Sequence, residues 1–157
     1  SDLTPSMPFL QDNSSCWSEF DFHMNSDVVY LTGDTFMPDS CGCVNQMAEK
    51  LKNIPDIRED SLIISADKDS MADYMEEAYE RNSRTLFNEC VANLSRDAAF
   101  MLVADMNKIS RNPERFEPYL PAFLLENAPL FHSFILSTQL SVVNDRLSHI
   151  MVLTYKD

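Results

Sequence analysis

Glycine is the residue that most limits the loops this chain can build. The 157-residue sequence contains two glycines, Gly33 and Gly42, and none follows position 42. Loops that wrap a phosphate bring the backbone so close to the ligand that they depend on several glycines. The sequence therefore excludes a Walker A loop and the glycine-rich turn of a dinucleotide-binding fold.

Acidic residues dominate the charge: 25 Asp and Glu stand against 12 Lys and Arg, which gives a net charge of −13. The imbalance is greatest in residues 1–49, which contain eight acids and no Lys or Arg. Nucleic acids and anionic membrane surfaces attract cationic proteins. We therefore expect neither a nucleic-acid partner nor a membrane partner, and we expect an acidic surface suited to a basic protein partner.

The composition also divides the chain into two segments. A protein of 18.0 kDa fits one domain, or one domain with an arm. The base-free front contains both glycines and Trp17, the only tryptophan. We predict an acidic N-terminal arm or hairpin segment over residues 1–43 and a helical domain over residues 44–157.

A β-hairpin is predicted within the front segment. Apolar residues Phe20, Phe22 and Met24 alternate with polar neighbours, which is the pattern of a half-buried strand. A β-branched run over residues 28–32 follows, and residues 25–27 have the composition of a turn.

Beyond Ser70, apolar residues recur at near-helical spacing as far as Leu94, which predicts helix. Three further helix starts are predicted from a capping residue or from a proline at the first helical position: Ser95, Asn112-Pro113 and Pro129. The uncharged run over residues 127–144 is too polar to span a bilayer and is interpreted as a buried core helix.

These elements together predict a mainly α fold. Five or six helices would form an irregular helical bundle or a short helical stack, with the N-terminal arm or small β-hairpin against it. The alternative is an α+β fold with a small sheet, in which residues 61–65 and 148–155 join the hairpin.

The densest acidic cluster contains Asp67, Asp69 and Asp73. Alternating carboxylates can bind a hard cation, as in an EF-hand loop. Here the loop glycine is missing and Met71 occupies the fifth position. We therefore interpret these acids as residues at a helix N-terminus and predict no metal site.

Four cysteines, Cys16, Cys41, Cys43 and Cys90, leave the compartment open. They permit a four-thiolate zinc site or two disulfides, but Cys41 and Cys43 lie one residue closer together than the usual zinc pair. Sequons at Asn13 and Asn93 add a secreted, disulfide-linked glycoprotein domain as an alternative. Base rates for disulfides favour an intracellular protein.

Catalytic motifs are missing from the sequence: it has no G-x-S-x-G elbow and no H-E-x-x-H helix. A Cys–His pair made by Cys43 with His23 or His132 is the remaining candidate for an enzyme, beside a metal-dependent one. His132 and His149 lie in apolar segments and are interpreted as core or edge residues. We predict no catalytic residue and no cofactor.

The interleaved aromatic and acidic residues of the first strand form the most unusual segment. Such residues suit docking into an apolar groove with a basic rim. The candidate partner-binding residues are Trp17, Glu19, Phe20, Asp21 and Phe22. The sequence thus favours a non-catalytic protein–protein interaction or scaffold domain.

Overall fold

One seven-stranded antiparallel sheet organises the protein, in the strand order β1-β2-β7-β6-β5-β4-β3. A computed structural model describes residues 17–25, 28–36, 53–80, 85–120, 125–143 and 146–156. The strands are β1 (Trp17–Asn25), β2 (Val28–Phe36), β3 (Ile57–Arg58), β4 (Leu62–Ser65), β5 (Phe100–Asp105), β6 (Phe134–Val143) and β7 (Arg146–Tyr155). Within these ranges the helices are α1 (Lys68–Glu80), α2 (Leu86–Ala92), α3 (Met106–Arg111), α4 (Pro113–Phe116) and α5 (Ala128–Phe131).

Helices cover both faces of the sheet around β4 and β5. On one face, α1 and α2 pack their buried residues against alternate positions of the strands: Met71, Met75, Phe87 and Val91 against Ile63, Met101 and Val103. On the other face, α3 and the segment that follows it do the same: Met106, Ile109, Phe116 and Leu120 against Leu62, Ile64, Phe100 and Leu102. Strands β4 and β5 are therefore closed off from solvent on both faces.

The prediction of a mainly α fold is wrong, and β5 shows why. The predicted helix after Ser95 is replaced by β5 and the short helix α3. All six residues of β5 are buried, because helices cover both of its faces. A strand buried on both faces has no alternation of polar and apolar residues, so periodicity does not separate it from a buried helix.

The predicted core helix over residues 127–144 is also wrong. This run forms α5 and then β6, which lies between β5 and β7. Its polar residues are buried because they find partners there. The hydroxyl of Thr138 donates to the carbonyl of Ile150 over 3.1 Å, and the side-chain amide of Gln139 bonds the backbone of Ser95.

The α+β alternative describes the fold better. Residues 62–65 form β4 and residues 146–155 form β7, and both belong to the same sheet as the β1–β2 hairpin. The hairpin pairs from Trp17 opposite Thr35 to Asn25 opposite Val28, with an irregularity between Trp17 and Phe20. The predicted boundary at residues 43 and 44 lies outside the described residues.

Gln139 fastens the loop after α2 to the sheet, and its loss should be measurable. Its side-chain oxygen accepts from the amide of Ser95 over 3.1 Å and its nitrogen donates to the carbonyl of Ser95 over 2.8 Å. We expect Gln139→Met to lower the free energy of unfolding by about 1–2 kcal/mol, because two hydrogen bonds are lost at a buried site. Urea denaturation measures this change. Ser95→Ala is the matched control, since it keeps the backbone groups, and a loss as large as that of Gln139→Met would contradict the assignment.

Candidate functional site

The five predicted partner-binding residues lie on β1. The structure describes their backbone, in which Phe20 pairs with Gly33, Asp21 with Thr32 and Phe22 with Leu31. Trp17 and Glu19 belong to the same strand. The first strand of the sheet therefore carries the whole predicted docking segment.

β1 also forms one edge of the sheet. It is nine residues long, and within the described ranges β2 is the one strand that pairs with it. The opposite edge is β3, which has two residues. The two edges thus differ greatly in the length of backbone that they offer to another strand.

The acidic cluster begins a helix. The backbone N–H of Ser70 donates to the Asp67 carboxylate over 2.9 Å, and this bond lowers the pKa of Asp67. Helix α1 accordingly starts at Lys68, two residues before the predicted start at Ser70. Among the described residues, no three His, Cys, Asp or Glu side chains are grouped so that they could hold a metal ion.

The cysteine and histidine predictions are resolved in part. Cys16, Cys41 and Cys43 lie outside the described residues, so the structure does not address a zinc site, a disulfide or a Cys43 pair. Cys90 is a free, half-buried thiol on α2, and burial raises its pKa. Asn93 of the second sequon is the exposed residue that ends α2.

The two histidines of the C-terminal half have different surroundings. His132 is exposed, and its Nδ1 lies 2.7 Å from the carbonyl oxygen of Pro129. His149, on β7, is 3% exposed and lies on the same face of the strand as the half-buried Met151 and Leu153. Burial lowers the pKa of His149 to about 4, so the imidazole is neutral at physiological pH.

A cleft that the sequence did not predict lies beside the helices α1 and α2, at the end of the sheet where β5 and β7 finish. Its volume is about 520 Å³, which is in the range of small-molecule sites. Its apolar wall consists of Ile63 from β4, Ala78 from α1, and Leu86 and Phe87 from α2. The cleft therefore borders the core layer that these helices form with the sheet.

A buried ion pair forms one side of this cleft. The Asp105 side chain is 1% exposed, and its Oδ2 accepts from the Lys156 Nζ over 2.7 Å. Its Oδ1 accepts from the backbone N–H groups of Asn107 and Lys108, which begin α3. Asp105 thus joins the end of β5, the start of α3 and the end of β7.

Arg58 and Tyr74 form another part of the lining. The Arg58 guanidinium lies 5.3 Å from the centre of the Tyr74 ring and is paired with Glu77. The Tyr74 hydroxyl donates to the carboxylate of Asp56. Burial, together with this carboxylate, raises the pKa of Tyr74 to about 12, so the phenol stays protonated and acts as a hydrogen-bond donor.

Two charged side chains of the lining lie outside these pairs. Glu59 is held by Arg115 over 2.8 Å, whereas Lys108 and Asp60 are exposed. Within the described part of the chain, neither Lys108 nor Asp60 has an oppositely charged side chain within 4.0 Å. The cleft therefore presents one positive and one negative group beside its apolar wall.

A smaller groove of about 330 Å³ lies between α2 and the strands β6 and β7. It contains Cys90, Leu94, Ile150 and Val152, and it is mostly apolar.

The described residues include no helix that is long and apolar enough to cross a membrane.

Comparison with protein-family models, with curated proteins and with solved structures finds no match for this chain. The geometry of β1 and of the cleft is therefore the evidence for its function.

Proposed function

We propose that this chain is a non-catalytic protein–protein interaction domain that adds an extended, basic segment of a partner to the outer edge of β1, on the side away from β2. The observation that carries the proposal is the position of a nine-residue strand at the edge of a seven-stranded sheet. An unpaired edge presents a row of N–H and C=O groups that another strand can bind.

The contrast between the two edges supports the choice of β1. Proteins commonly protect the edges of their sheets by keeping the outer strands short. β3 follows this rule with two residues, whereas β1 is as long as the strand it pairs with. A long edge offers enough main-chain hydrogen bonds for strand addition.

The charge of the segment favours a basic partner over a second copy of the chain. Glu19 and Asp21 lie on β1, within the 49 residues that contain no Lys or Arg. Two copies paired antiparallel about the middle of β1 would place Asp21 opposite Asp21. Like charges directly opposite each other destabilise a strand pair.

A synthetic peptide tests this proposal directly. The probe is a nine-residue peptide of alternating Val and Lys, and its control replaces each Lys with Glu. We expect the basic peptide alone to bind saturably and to shift the backbone amide resonances of residues 17–25. Its affinity should fall between 0.1 and 1 M salt, because the screening length shortens from about 10 Å to about 3 Å. Absence of binding, or shifts confined to other strands, would contradict the proposal.

Variants of β1 separate charge from backbone pairing. Glu19→Lys with Asp21→Lys should slow association at low salt, whereas the same charge change at the exposed Asp69 and Glu76 of α1 should have much less effect. Neighbouring residues of an antiparallel strand alternate in the direction of their N–H groups. One of the variants Asp21→Pro and Phe22→Pro therefore removes an N–H group that faces away from β2. This variant should keep the hairpin and bind the peptide at least tenfold more weakly.

A further inference from the structure

The cleft combines three features that a small ligand can recognise at once. The apolar wall includes Leu86 and Phe87, and two charged groups of the lining, Lys108 and Asp60, take part in no ion pair among the described residues. A volume of about 520 Å³ accommodates a molecule of roughly one to two amino-acid residues. The charged groups of opposite sign leave the cleft without a strong preference for a simple anion or a simple cation.

We propose that this cleft binds a small zwitterion with an apolar body, which is the chemistry of a free apolar amino acid or a dipeptide. Lys108 contacts the carboxylate of the ligand, Asp60 contacts its ammonium group, and the apolar side chain lies against Leu86 and Phe87. This assignment is independent of the strand-addition function proposed for β1, because it uses none of the residues of that strand.

The remaining groups of the cleft fit this ligand class. The other cations of the lining are already neutralised, Arg58 by Glu77 and Lys156 by Asp105. These two ion pairs stabilise the walls of the cleft. Lys108 is therefore the cation that can bind the carboxylate of a ligand. A zwitterion also approaches a protein of net charge −13 without the net repulsion that an anion meets.

The probes are L-phenylalanine and the dipeptide Leu-Phe. Two analogues of phenylalanine carry one charge each: 3-phenylpropionate lacks the ammonium group and phenethylamine lacks the carboxylate. Titrations followed by the amide resonances of residues 85–88 measure the binding. We expect a dissociation constant of about 1 mM or below for one of the zwitterions. Each analogue should bind about tenfold more weakly than phenylalanine, because a charge-assisted hydrogen bond is lost.

Two substitutions assign the charged contacts. Lys108→Gln should weaken the binding of phenylalanine about tenfold and leave the binding of phenethylamine unchanged. Asp60→Asn should also weaken the binding of phenylalanine about tenfold, but it should leave the binding of 3-phenylpropionate unchanged. Lys68→Gln and Asp69→Asn are the matched controls, since both residues are exposed on α1 and do not line the cleft. No saturable binding of either zwitterion, or analogues that bind as well as phenylalanine, would overturn the proposal.

Discussion

Lys156→Met is expected to lower the free energy of unfolding by about 3 kcal/mol. The substitution removes the ammonium group from the Asp105 carboxylate, which is 1% exposed and receives Lys156 Nζ at 2.7 Å. Removing one partner of a buried ion pair costs about 3–5 kcal/mol, because the other charge stays buried. The cost should be near the lower limit, since Lys156 is 33% exposed and two backbone N–H groups still bind Asp105.

A double-mutant cycle distinguishes this pair from general damage to the fold. Asp105→Asn keeps an oxygen that can accept from the N–H groups of Asn107 and Lys108 but has no charge to neutralise. The two substitutions together should therefore cost less than the sum of their separate effects. Lys108→Met, which removes an exposed cation nearby, should change stability by about 0.5 kcal/mol or less. Additive losses in the cycle would contradict the proposed coupling.

The second large effect is a loss of stability in mild acid caused by His149. The imidazole has an ordinary pKa of 6.5 in the unfolded chain and a pKa lowered to about 4 by burial in the folded protein. The unfolded state therefore binds more protons between these two values. The contribution of His149 to the free energy of unfolding is fully present above pH 6.5. It is lost as the pH falls towards 4, and the total loss is about 3 kcal/mol.

Urea denaturation at several pH values measures this dependence. His149→Met removes the titrating group, so the variant should lose much less stability between pH 6.5 and 5 than the wild-type protein does. His132→Gln is the control, because it removes an exposed histidine and leaves His149 in place. An equal slope in the wild-type protein and in His149→Met would assign the acid sensitivity to other groups.

Local sequence patterns predicted the elements that carry a signal in neighbouring residues, such as alternating polar and apolar side chains or a capping residue before a proline. The alternation of Phe20, Phe22 and Met24 with charged neighbours indicated β1, and the hairpin with β2 followed from the turn between them. The pair Asn112-Pro113 indicated the start of α4. In each case the information lies within a few neighbouring residues, so tertiary contacts were not needed to find it.

The sheet itself depended on contacts that a single sequence does not reveal. Thr138 and Gln139 resemble positions that interrupt a core, yet they are buried in β6 because their hydrogen-bond partners come from other segments of the chain. The β5 region was likewise predicted as helix, because helices on both of its faces remove the alternation of polar and apolar residues that indicates a strand.

The cleft was missed for a related reason. Asp105 and Lys156 are 51 positions apart, and they meet because β6 brings the ends of β5 and β7 together. Neither residue belongs to a motif, and each resembles an ordinary charged residue at the end of an apolar run. The strand order, which the sequence pattern did not predict, brings these two residues together.

The neighbours of β2 also determine when this sheet can be completed. Val28 pairs with Thr154 and Phe36 with Arg146, so β2 cannot complete its pairing before β7 has been synthesised. During synthesis β2 leaves the ribosome before β7, because residues 28–36 precede residues 146–155 in the chain. During that interval the edge of β2 that later pairs with β7 lacks this partner, which leaves it open to other nascent copies. The absence of any Lys or Arg from residues 1–49 makes such copies repel one another and so disfavours their pairing before β7 arrives.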